Sequence, residues 1–215
     1  CQGLVAGINA AAKILSLPPL VLPRDSSYTG ILIDDLVTKG TNEPYRMMTS
    51  RCEHRLILRQ DNADLRLTPL GYDCGLISKT RYDAFLAKKV AEETEKTRLE
   101  HTHLSPETAN PFLTNLALEP VKSGVSLADL LRRPQITYTA LAAVDVSRPA
   151  LSPEIIKTVE TDVQYAGYIK RELAEVERQK KLEDKHLPAD LDYTAIKGLR
   201  LEAGQKLSKF RPATI

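Results

Sequence analysis

The amino-acid sequence predicts a mainly α-helical fold, in which a helical bundle follows a short α/β remnant. Recurrent helix-start signals and one long amphipathic segment predict the bundle. Eight Tyr, three Phe and no Trp are fewer aromatic residues than a β-sandwich usually contains. A composition of 42% hydrophobic and 27% charged residues excludes a wholly disordered chain. The 215 residues allow one large domain or two small ones.

The first forty residues differ from the rest of the chain. Residues 3–15 are small, apolar and spaced by glycine, which predicts a helix that packs closely against a neighbour. An extended connector follows, because three prolines break any helix there: Pro18, Pro19 and Pro23. Residues 28–37 hold a concentrated Ile/Leu run that predicts either a short strand or a helix start, since periodicity cannot separate the two over so few residues. We therefore assign residues 1–40 to the end of a preceding domain and its connector.

Helix-start signals recur between residues 41 and 152, which we assign to the first part of a helical domain. The cap residues that predict these starts are Ser50, Thr68, Ser78, Ser105 and Ser126. Ser50 and Glu53 have the spacing of a capping box, in which each side chain satisfies a free backbone N–H of the other residue. The segment 79–101 carries apolar side chains along one face, and residues 137–144 predict a short helical piece.

Residues 153–215 are assigned to a long helix and a C-terminal helical subdomain. The sequence Ser-Pro-Glu at 152–154 predicts the helix start. Apolar residues then recur at intervals of 4, 4, 3, 3, 4 and 3, which is typical of an amphipathic helix: Ile155, Val159, Val163, Ala166, Ile169, Leu173 and Val176. Gly167 within this segment costs about 1 kcal/mol relative to Ala, and we expect a close helix contact there rather than a ligand. A small closing helix is predicted around 199–209.

Cysteine use and hydropathy indicate a cytoplasmic protein without a membrane partner. The three cysteines are odd in number and form no CxxC motif, which argues against a disulfide framework or a zinc ribbon. The sequence lacks a signal-peptide pattern, and no apolar run reaches the ~18 residues of a membrane span. Because the chain begins with Cys rather than Met, we expect a fragment of a longer protein.

The sequence contains no self-sufficient catalytic or cofactor motif. GxGxxG, P-loop and GxSxG patterns are all missing. Asp34 and Asp35 are adjacent and point to different sides of a helix or strand, which favours salt bridging or capping over joint acid–base chemistry. His101 and His103 have no third ligand nearby and are expected in a solvated turn rather than on a metal. We therefore assign no catalytic, cofactor-binding or metal-binding residue.

Arginines form the most distinctive local pattern of the chain. Arg51, Arg55 and Arg59 recur every four residues and would stack along one face if the capped helix forms, with Arg46 before them and Arg66 after them. Each guanidinium is a planar group with several donors and suits phosphate or carboxylate recognition. Internal pairing remains an open alternative, because four carboxylates lie in the same stretch: Glu43, Glu53, Asp61 and Asp64.

A close resemblance to the bacterial and organellar tRNA-modifying flavoprotein family called GidA or MnmG is carried by residues 25–67, DSSYTGILIDDLVTKGTNEPYRMMTSRCEHRLILRQDNADLRL. The sequence QGLVAGINAA at 2–11 resembles the last helix of that family's FAD-binding domain. Four later segments resemble its helical C-terminal domain: LLRRPQITYTAL at 130–141, YAGYIKRE at 165–172, LPADLDYTAIKGL at 187–199 and KLSKFRPATI at 206–215. The resemblance therefore covers essentially the whole chain.

This resemblance implies an enzyme that binds FAD in a Rossmann-type domain upstream of Cys1, with residues 1–40 as the remnant of that domain. With NADH, methylene-tetrahydrofolate and the partner GTPase MnmE, the full-length homodimer would add a carboxymethylaminomethyl or aminomethyl group to carbon five of the wobble uridine in certain tRNAs. The family's flavin-binding glycines and catalytic cysteines would lie upstream. The fragment alone is therefore not expected to be active.

In an RNA-modifying enzyme, an exposed arginine row beside the flavin domain would hold phosphates near the active site. We therefore predict that the tRNA-contacting groups are among Lys39, Arg46, Arg51, Arg55 and Arg59, some of which are expected to be structural. The alternative is a purely structural protein-interaction module, in which the helix predicted over 153–184 and its neighbours bind the GTPase without touching RNA.

Overall fold

Helices occupy most of the chain in the computed structural model, which describes residues 1–183 and 185–214. Within these ranges the α-helices are α1 (Gln2–Ile14), α2 (Tyr28–Thr38), α3 (Ala63–Asp73), α4 (Lys79–His101), α5 (Pro106–Asn115), α6 (Leu127–Leu131), α7 (Pro153–Glu183) and α8 (Leu201–Phe210). Two short 3-10 helices span Thr49–Arg51 and Ala140–Ala143. Strands β1 (His103–Leu104) and β2 (Val125–Ser126) pair antiparallel, with His103 opposite Ser126. The mainly α-helical fold is confirmed.

The chain divides into two compact units, residues 1–169 and residues 170–215. The predicted boundary between residues 152 and 153 lies at the start of α7, whereas this division falls within α7. The ambiguous segment 28–37 is helical and forms α2. That residues 1–40 belong to an FAD-binding domain stays a prediction.

Several helices begin where their cap residues predict. The Ser78 hydroxyl accepts a hydrogen bond from the Arg81 N–H at the start of α4. The Ser126 hydroxyl accepts one from the Asp129 N–H, at 3.0 Å, at the start of α6. Helix α7 starts directly after Ser152. Such caps satisfy backbone donors that the first helical turn leaves free, and they need no distant partner.

Two of the predicted helix starts are wrong. Ser50 and Glu53 form no capping box: only a 3-10 turn forms there, and the Glu53 carboxylate accepts hydrogen bonds from Arg24 instead. The helix predicted to begin at Thr68 begins five residues earlier, at Ala63, so that Pro69 lies inside α3. Without the capped helix, the arginines that follow Ser50 do not form a helical row.

The main core of the first unit lies between α4, α5, α6 and the first turns of α7. Its fully buried side chains include Leu99, Leu113, Leu127, Leu130, Leu131 and Val159. Burying one such side chain stabilises the fold by about 1.5–3 kcal/mol. Val159 and Val163 belong to this core, which confirms the apolar stripe predicted for the start of the long helix. The close contact expected at Gly167 is not present: apart from its chain neighbours and the backbone of its own helix, no atom of the described chain lies within 4 Å of a Cβ built at this position.

A second, smaller cluster packs α2 against the segment that follows the 3-10 turn. Ile31, Cys52 and Leu58 are buried in it, with Tyr28 and Ile57 at its edge. Helix α2 approaches the proline connector so closely at Gly30 that a Cβ there would lie 2.3 Å from the Pro23 carbonyl oxygen. This packing fixes α2 beside the arginine-containing segment.

The second unit contains the last turns of α7 and helix α8. Tyr193 and Gly204 are buried within it. The Leu187 N–H donates to the Ala213 carbonyl at 2.9 Å, and His186 bridges to Thr214 in antiparallel fashion. The chain before α8 is thereby tied to the chain after it.

Candidate nucleic-acid interface

A buried carboxylate organises the polar surface beside α2. Asp35 is only 3% exposed. Its Oδ1 accepts hydrogen bonds from Arg24 Nη1 at 2.7 Å and Lys39 Nζ at 2.8 Å, and its Oδ2 accepts one from the Tyr45 hydroxyl at 2.6 Å. Burial raises the pKa of Asp35, but the donors Lys39, Tyr45 and Arg24 together outweigh burial and hold that pKa well below its usual range. Asp35 is therefore a fixed negative charge that three donors share.

Arg24 joins the proline connector to α2 and to the segment after the 3-10 turn. Its Nη1 also donates to Asp34 Oδ2 at 2.7 Å, which confirms salt bridging as the role of the adjacent aspartates. Its Nε and Nη2 donate to the two carboxylate oxygens of Glu53, at 2.6 and 3.0 Å. One planar guanidinium thus binds three carboxylates that come from α2 and from the segment after the 3-10 turn.

Tyr45 places Arg51 on the same surface. The Arg51 guanidinium carbon lies 4.5 Å from the centre of the Tyr45 ring, which is a cation–π contact. Lys39 and Arg51 line a polar pocket of about 410 Å³; its other lining residues are Arg24, Asp34, Asp35, Ser50 and Glu53. The structure therefore brings two of the five predicted RNA-contacting residues together.

Arg46 and Arg55 are also exposed. Arg55 donates from Nε to the Cys52 carbonyl at 3.3 Å. Among residues 1–183 and 185–214, no carboxylate forms an ion pair with Arg46, Arg51 or Arg55. Three of the predicted residues thus present guanidinium groups to solvent without an acidic partner.

Arg59 is the internal member of the predicted set. Its side chain is 12% exposed, and its Nη2 donates to Asp61 at 3.0 Å and to Asp162 of α7 at 2.5 Å. Burial lowers the pKa of Arg59, but the hydrogen bonds to Asp61 and Asp162 outweigh burial and raise it above its usual value. Arg59 therefore ties the arginine segment to α7.

Arg66 is internal as well. It donates to the carbonyls of Ser26 and Arg59, and its Nε donates to Asn62 at 3.1 Å. Burial lowers the pKa of Arg66, and the neighbouring Arg59 charge lowers it further. The sequence left open whether these arginines pair internally. Arg59 and Arg66 do so in the structure. The other three, Arg46, Arg51 and Arg55, form no ion pair in the described ranges.

Sequence reasoning missed Arg24 and Tyr45 as members of this surface. Arg24 stands alone in the connector, and its partners lie 10, 11 and 29 residues away. Tyr45 carries a weak signal, because an aromatic residue beside an arginine in a basic segment can serve RNA binding. Its contact with Asp35 depends on the fold and could not be read from spacing.

The remaining candidates carry no chemistry in this structure. His101 and His103 bind only backbone carbonyls, and no set of His, Cys, Asp or Glu within the described ranges could hold a metal ion. Cys52 is buried, whereas Cys74 is exposed. None of the helices in residues 1–183 and 185–214 combines the length and apolar character of a membrane span.

The described residues do not fit FAD. Binding of a dinucleotide requires a strand that leads through a glycine-rich loop into a helix N-terminus. In the part of the chain that the structure describes, β1 and β2 are two residues long each, and neither leads into such a loop. FAD therefore has no recognisable ligands among these residues.

Comparison with known proteins gives consistent matches along the whole chain. Family models described as the tRNA modifying enzyme MnmG/GidA C-terminal helical domain and C-terminal helical bundle match residues 79–173 and 175–215. The tRNA uridine 5-carboxymethylaminomethyl modification enzyme MnmG of Caldicellulosiruptor saccharolyticus is 53% identical over 100% of this chain and 34% of its own length. The protein of the same name from Clostridium kluyveri is 50% identical over the same shares.

A solved structure supports the same relationship. Aquifex aeolicus GidA, in its form II crystal, superposes with a TM-score of 0.75 at 39% identity, over 99% of this chain and 33% of that chain. The present chain spans about a third of the length of the curated relatives it matches.

Proposed function

This chain belongs to the MnmG/GidA family of tRNA-modifying enzymes, and from this premise we propose that it serves a tRNA wobble-uridine modification enzyme by docking tRNA. The reaction proposed for the whole protein adds a carboxymethylaminomethyl or aminomethyl group to carbon five of the uridine. FAD, NADH and methylene-tetrahydrofolate are its proposed cofactor and co-substrates. We also propose that the whole protein binds the MnmE GTPase, forms a homodimer and is located in the cytoplasm.

One observation carries the docking role. Arg46, Arg51 and Arg55 are exposed and form no ion pair with any carboxylate in the described ranges, whereas Arg59 and Arg66 are held internally. An exposed guanidinium without an internal partner can bind a phosphate without first losing an ion pair. Neutralising phosphates also releases counterions, which supplies much of the affinity of RNA-binding proteins.

The residues of this chain would orient the bound tRNA. Flavin and folate supply the redox and one-carbon chemistry of such a reaction when they are bound. The arginines and Lys39 would hold the phosphate backbone, so that a nucleoside stays in a fixed position while it reacts. Asp35 would keep Lys39 in place directly and Arg51 in place through Tyr45, without touching the RNA.

Charge reversal tests the docking role. Arg46→Glu, Arg51→Glu and Arg55→Glu would each be made in the full-length protein, and tRNA affinity would be measured at several salt concentrations. Each lost phosphate contact should flatten the slope of log affinity against log salt by about 0.7–0.9. Arg132→Glu is the matched control, since Arg132 is exposed but pairs with Asp129. A slope that stays unchanged in all three variants would refute the proposal.

A protein-docking role without RNA contact is the second candidate, and α7 supplies the observation that favours it. Tyr165 and Tyr168 are 44% and 60% exposed, and their ring centres lie 6.4 Å apart. The position of Gly167 between them is open. Tyrosine is enriched at protein interfaces, and an exposed glycine allows a partner to approach the helix backbone. We propose MnmE as this partner.

The two candidates predict different results. Tyr165→Ala and Tyr168→Ala should weaken capture of MnmE and leave the salt slope of tRNA binding unchanged. If the arginine reversals leave tRNA binding intact while the tyrosine variants lose MnmE, the protein-docking role alone stands. If the tyrosine variants capture MnmE normally, this face of α7 is not the docking surface.

A further inference from the structure

The segment that carries Arg46 and leads into the 3-10 turn of Arg51 lacks a backbone framework. Within the described ranges, no backbone–backbone hydrogen bond involves residues 40–47, which lie between α2 and the 3-10 turn. Every residue from Gly40 to Arg51 is exposed except Tyr45, which is half-buried. Among residues 40–47, Tyr45 is the one whose side chain forms a hydrogen bond with a described residue.

The Tyr45 hydroxyl attaches the segment to α2. It donates to Asp35 Oδ2 at 2.6 Å, and Arg24 and Lys39 hold the other oxygen of that carboxylate. A hydrogen bond to an ionised carboxylate is short and about twice as strong as one between neutral groups. Burial raises the pKa of the Tyr45 hydroxyl, and the Asp35 carboxylate raises it further, so the hydroxyl stays a donor at neutral pH.

The Tyr45 ring contacts Arg51 in a manner that leaves its donors free. The guanidinium carbon lies 4.5 Å from the ring centre, well inside the limit of about 6 Å for a cation–π contact. The Arg51 guanidinium donates no hydrogen bond to any residue in the described ranges, so its N–H groups remain available while the ring restrains the group. A carboxylate partner would occupy those N–H groups, but an aromatic face restrains Arg51 and leaves them available.

We propose that Tyr45 is a positioning residue for RNA binding. Its ring holds the Arg51 guanidinium in a fixed orientation for a phosphate of the bound RNA, and its hydroxyl fixes the ring to α2 through Asp35. This inference rests on the proposed docking function. It adds a residue that touches no phosphate itself and determines how well Arg51 does so.

Substitutions of Tyr45 and Arg51 in the full-length protein test this role, with tRNA affinity measured over a range of salt concentrations. Arg51→Met should flatten the salt slope by about 0.7–0.9. Tyr45→Leu removes the ring and should weaken tRNA affinity about two- to fivefold, the equivalent of one exposed cation–π contact. Tyr45→Phe keeps the ring and should preserve the salt slope, with a smaller loss of affinity than Tyr45→Leu.

The double variant distinguishes positioning from general stability. In the Arg51→Met background, Tyr45→Leu should cause no further loss of affinity, because the two residues act through one contact. Urea unfolding of all variants shows how much protein is folded under the binding conditions. A merely structural tyrosine would lower stability in both backgrounds and leave the salt slope unchanged.

Three results decide the matter. Non-additive losses for Tyr45→Leu and Arg51→Met support the positioning role. A loss for Arg51→Met combined with normal binding or an additive loss for Tyr45→Leu overturns the positioning role and leaves the docking function intact. Normal binding by both single variants removes Arg51 from the docking surface, and the positioning role falls with it.

Discussion

The Tyr138 hydroxyl donates a hydrogen bond to Glu95 Oε1 at 2.8 Å, between two buried side chains that are 43 residues apart in the sequence. Arg98 donates to both oxygens of the same carboxylate, at 2.8 and 2.7 Å, and also to both oxygens of Asp145, at 3.0 and 2.6 Å. Burial, with Glu95 as the second cause, raises the pKa of Tyr138 to about 12. The first unit thus contains a buried ion network next to its apolar core.

Tyr138→Phe should lower the free energy of unfolding at pH 8 by about 1.5–3 kcal/mol, the usual contribution of a hydrogen bond to a charged group. Because the folded-state pKa of Tyr138 is raised above its ordinary value of 10.0, the stability it contributes is present below pH 10 and is lost as pH rises through about 12. The difference between the wild-type protein and Tyr138→Phe should therefore shrink over that range in urea titrations. A difference that grows with pH would contradict the assigned donor.

Glu92→Met should stabilise the protein. Glu92 is 1% exposed, and neither carboxylate oxygen accepts a hydrogen bond from any described residue; Lys88 Nζ is 3.8 Å away. Replacing an unsatisfied buried charge with an apolar side chain of similar size should add about 1–3 kcal/mol at pH 7. The matched control is Glu93→Met on the exposed face of α4, where the ion pair with Lys96 contributes about 0–1 kcal/mol.

The same substitution has a predicted pH dependence. Burial raises the pKa of Glu92, and Asp64 and Asp162 raise it further against Lys88 and Lys96. A carboxyl group with a raised folded-state pKa contributes most to the free energy of unfolding at pH values below its unfolded-state pKa. This contribution is lost as pH rises through the folded-state pKa. The advantage of Glu92→Met should therefore decrease on acidification. Urea titrations at several pH values measure it, and an advantage independent of pH would show that folding does not raise the pKa of Glu92.

Arg59→Met should affect stability far more than tRNA binding. The change leaves Asp61 and Asp162 without their Arg59 hydrogen bonds, and we expect a loss of about 2–3 kcal/mol. Arg51→Met removes one exposed cation–π contact and should cost about 0.5–1 kcal/mol. Urea unfolding compares the two variants. If Arg59→Met flattens the salt slope of tRNA binding as Arg51→Met does, the division into internal and exposed arginines is incorrect.

Two glycines of α2 and α7 should respond in opposite ways to alanine. A Cβ at Gly30 would lie 2.3 Å from the Pro23 carbonyl oxygen and 2.6 Å from that of Leu22, so Gly30→Ala must displace backbone. We expect a loss of at least about 1–3 kcal/mol. Gly167 has open space around its Cβ position, so Gly167→Ala should gain about 1 kcal/mol from helix propensity. Thermal unfolding of both variants tests the pair, and equal shifts in Tm would contradict it.

Local chemistry made much of the helical fold predictable. The starts of α4, α6 and α7 follow from Ser78, Ser126 and Ser152, because a serine cap satisfies the first turn of its own helix. The buried positions of Val159 and Val163 follow from their spacing. These features depend on residues within a few positions of one another.

The partners of Glu53 and Arg59 could not be predicted from the sequence, because they are long-range ion pairs. Glu53 has the spacing of a capping residue, but Arg24, 29 residues earlier, binds its carboxylate. Arg59 has the same four-residue spacing as Arg51 and Arg55, but Asp162 of α7, 103 residues later, holds it internally. Spacing supplied the candidate arginines, the resemblance to the family assigned them to RNA contact, and the fold divides them into two groups.

The segment that carries Arg46, Arg51 and Arg55 has a small apolar cluster of its own. The cluster of Ile31, Cys52 and Leu58 is separate from the bundle core, and the surface above it is held largely by the ion pairs of Arg24 and Asp35. Regions with few apolar contacts open at a lower free energy than the main core. Amide protons of this region should therefore exchange with solvent while those of the bundle remain protected.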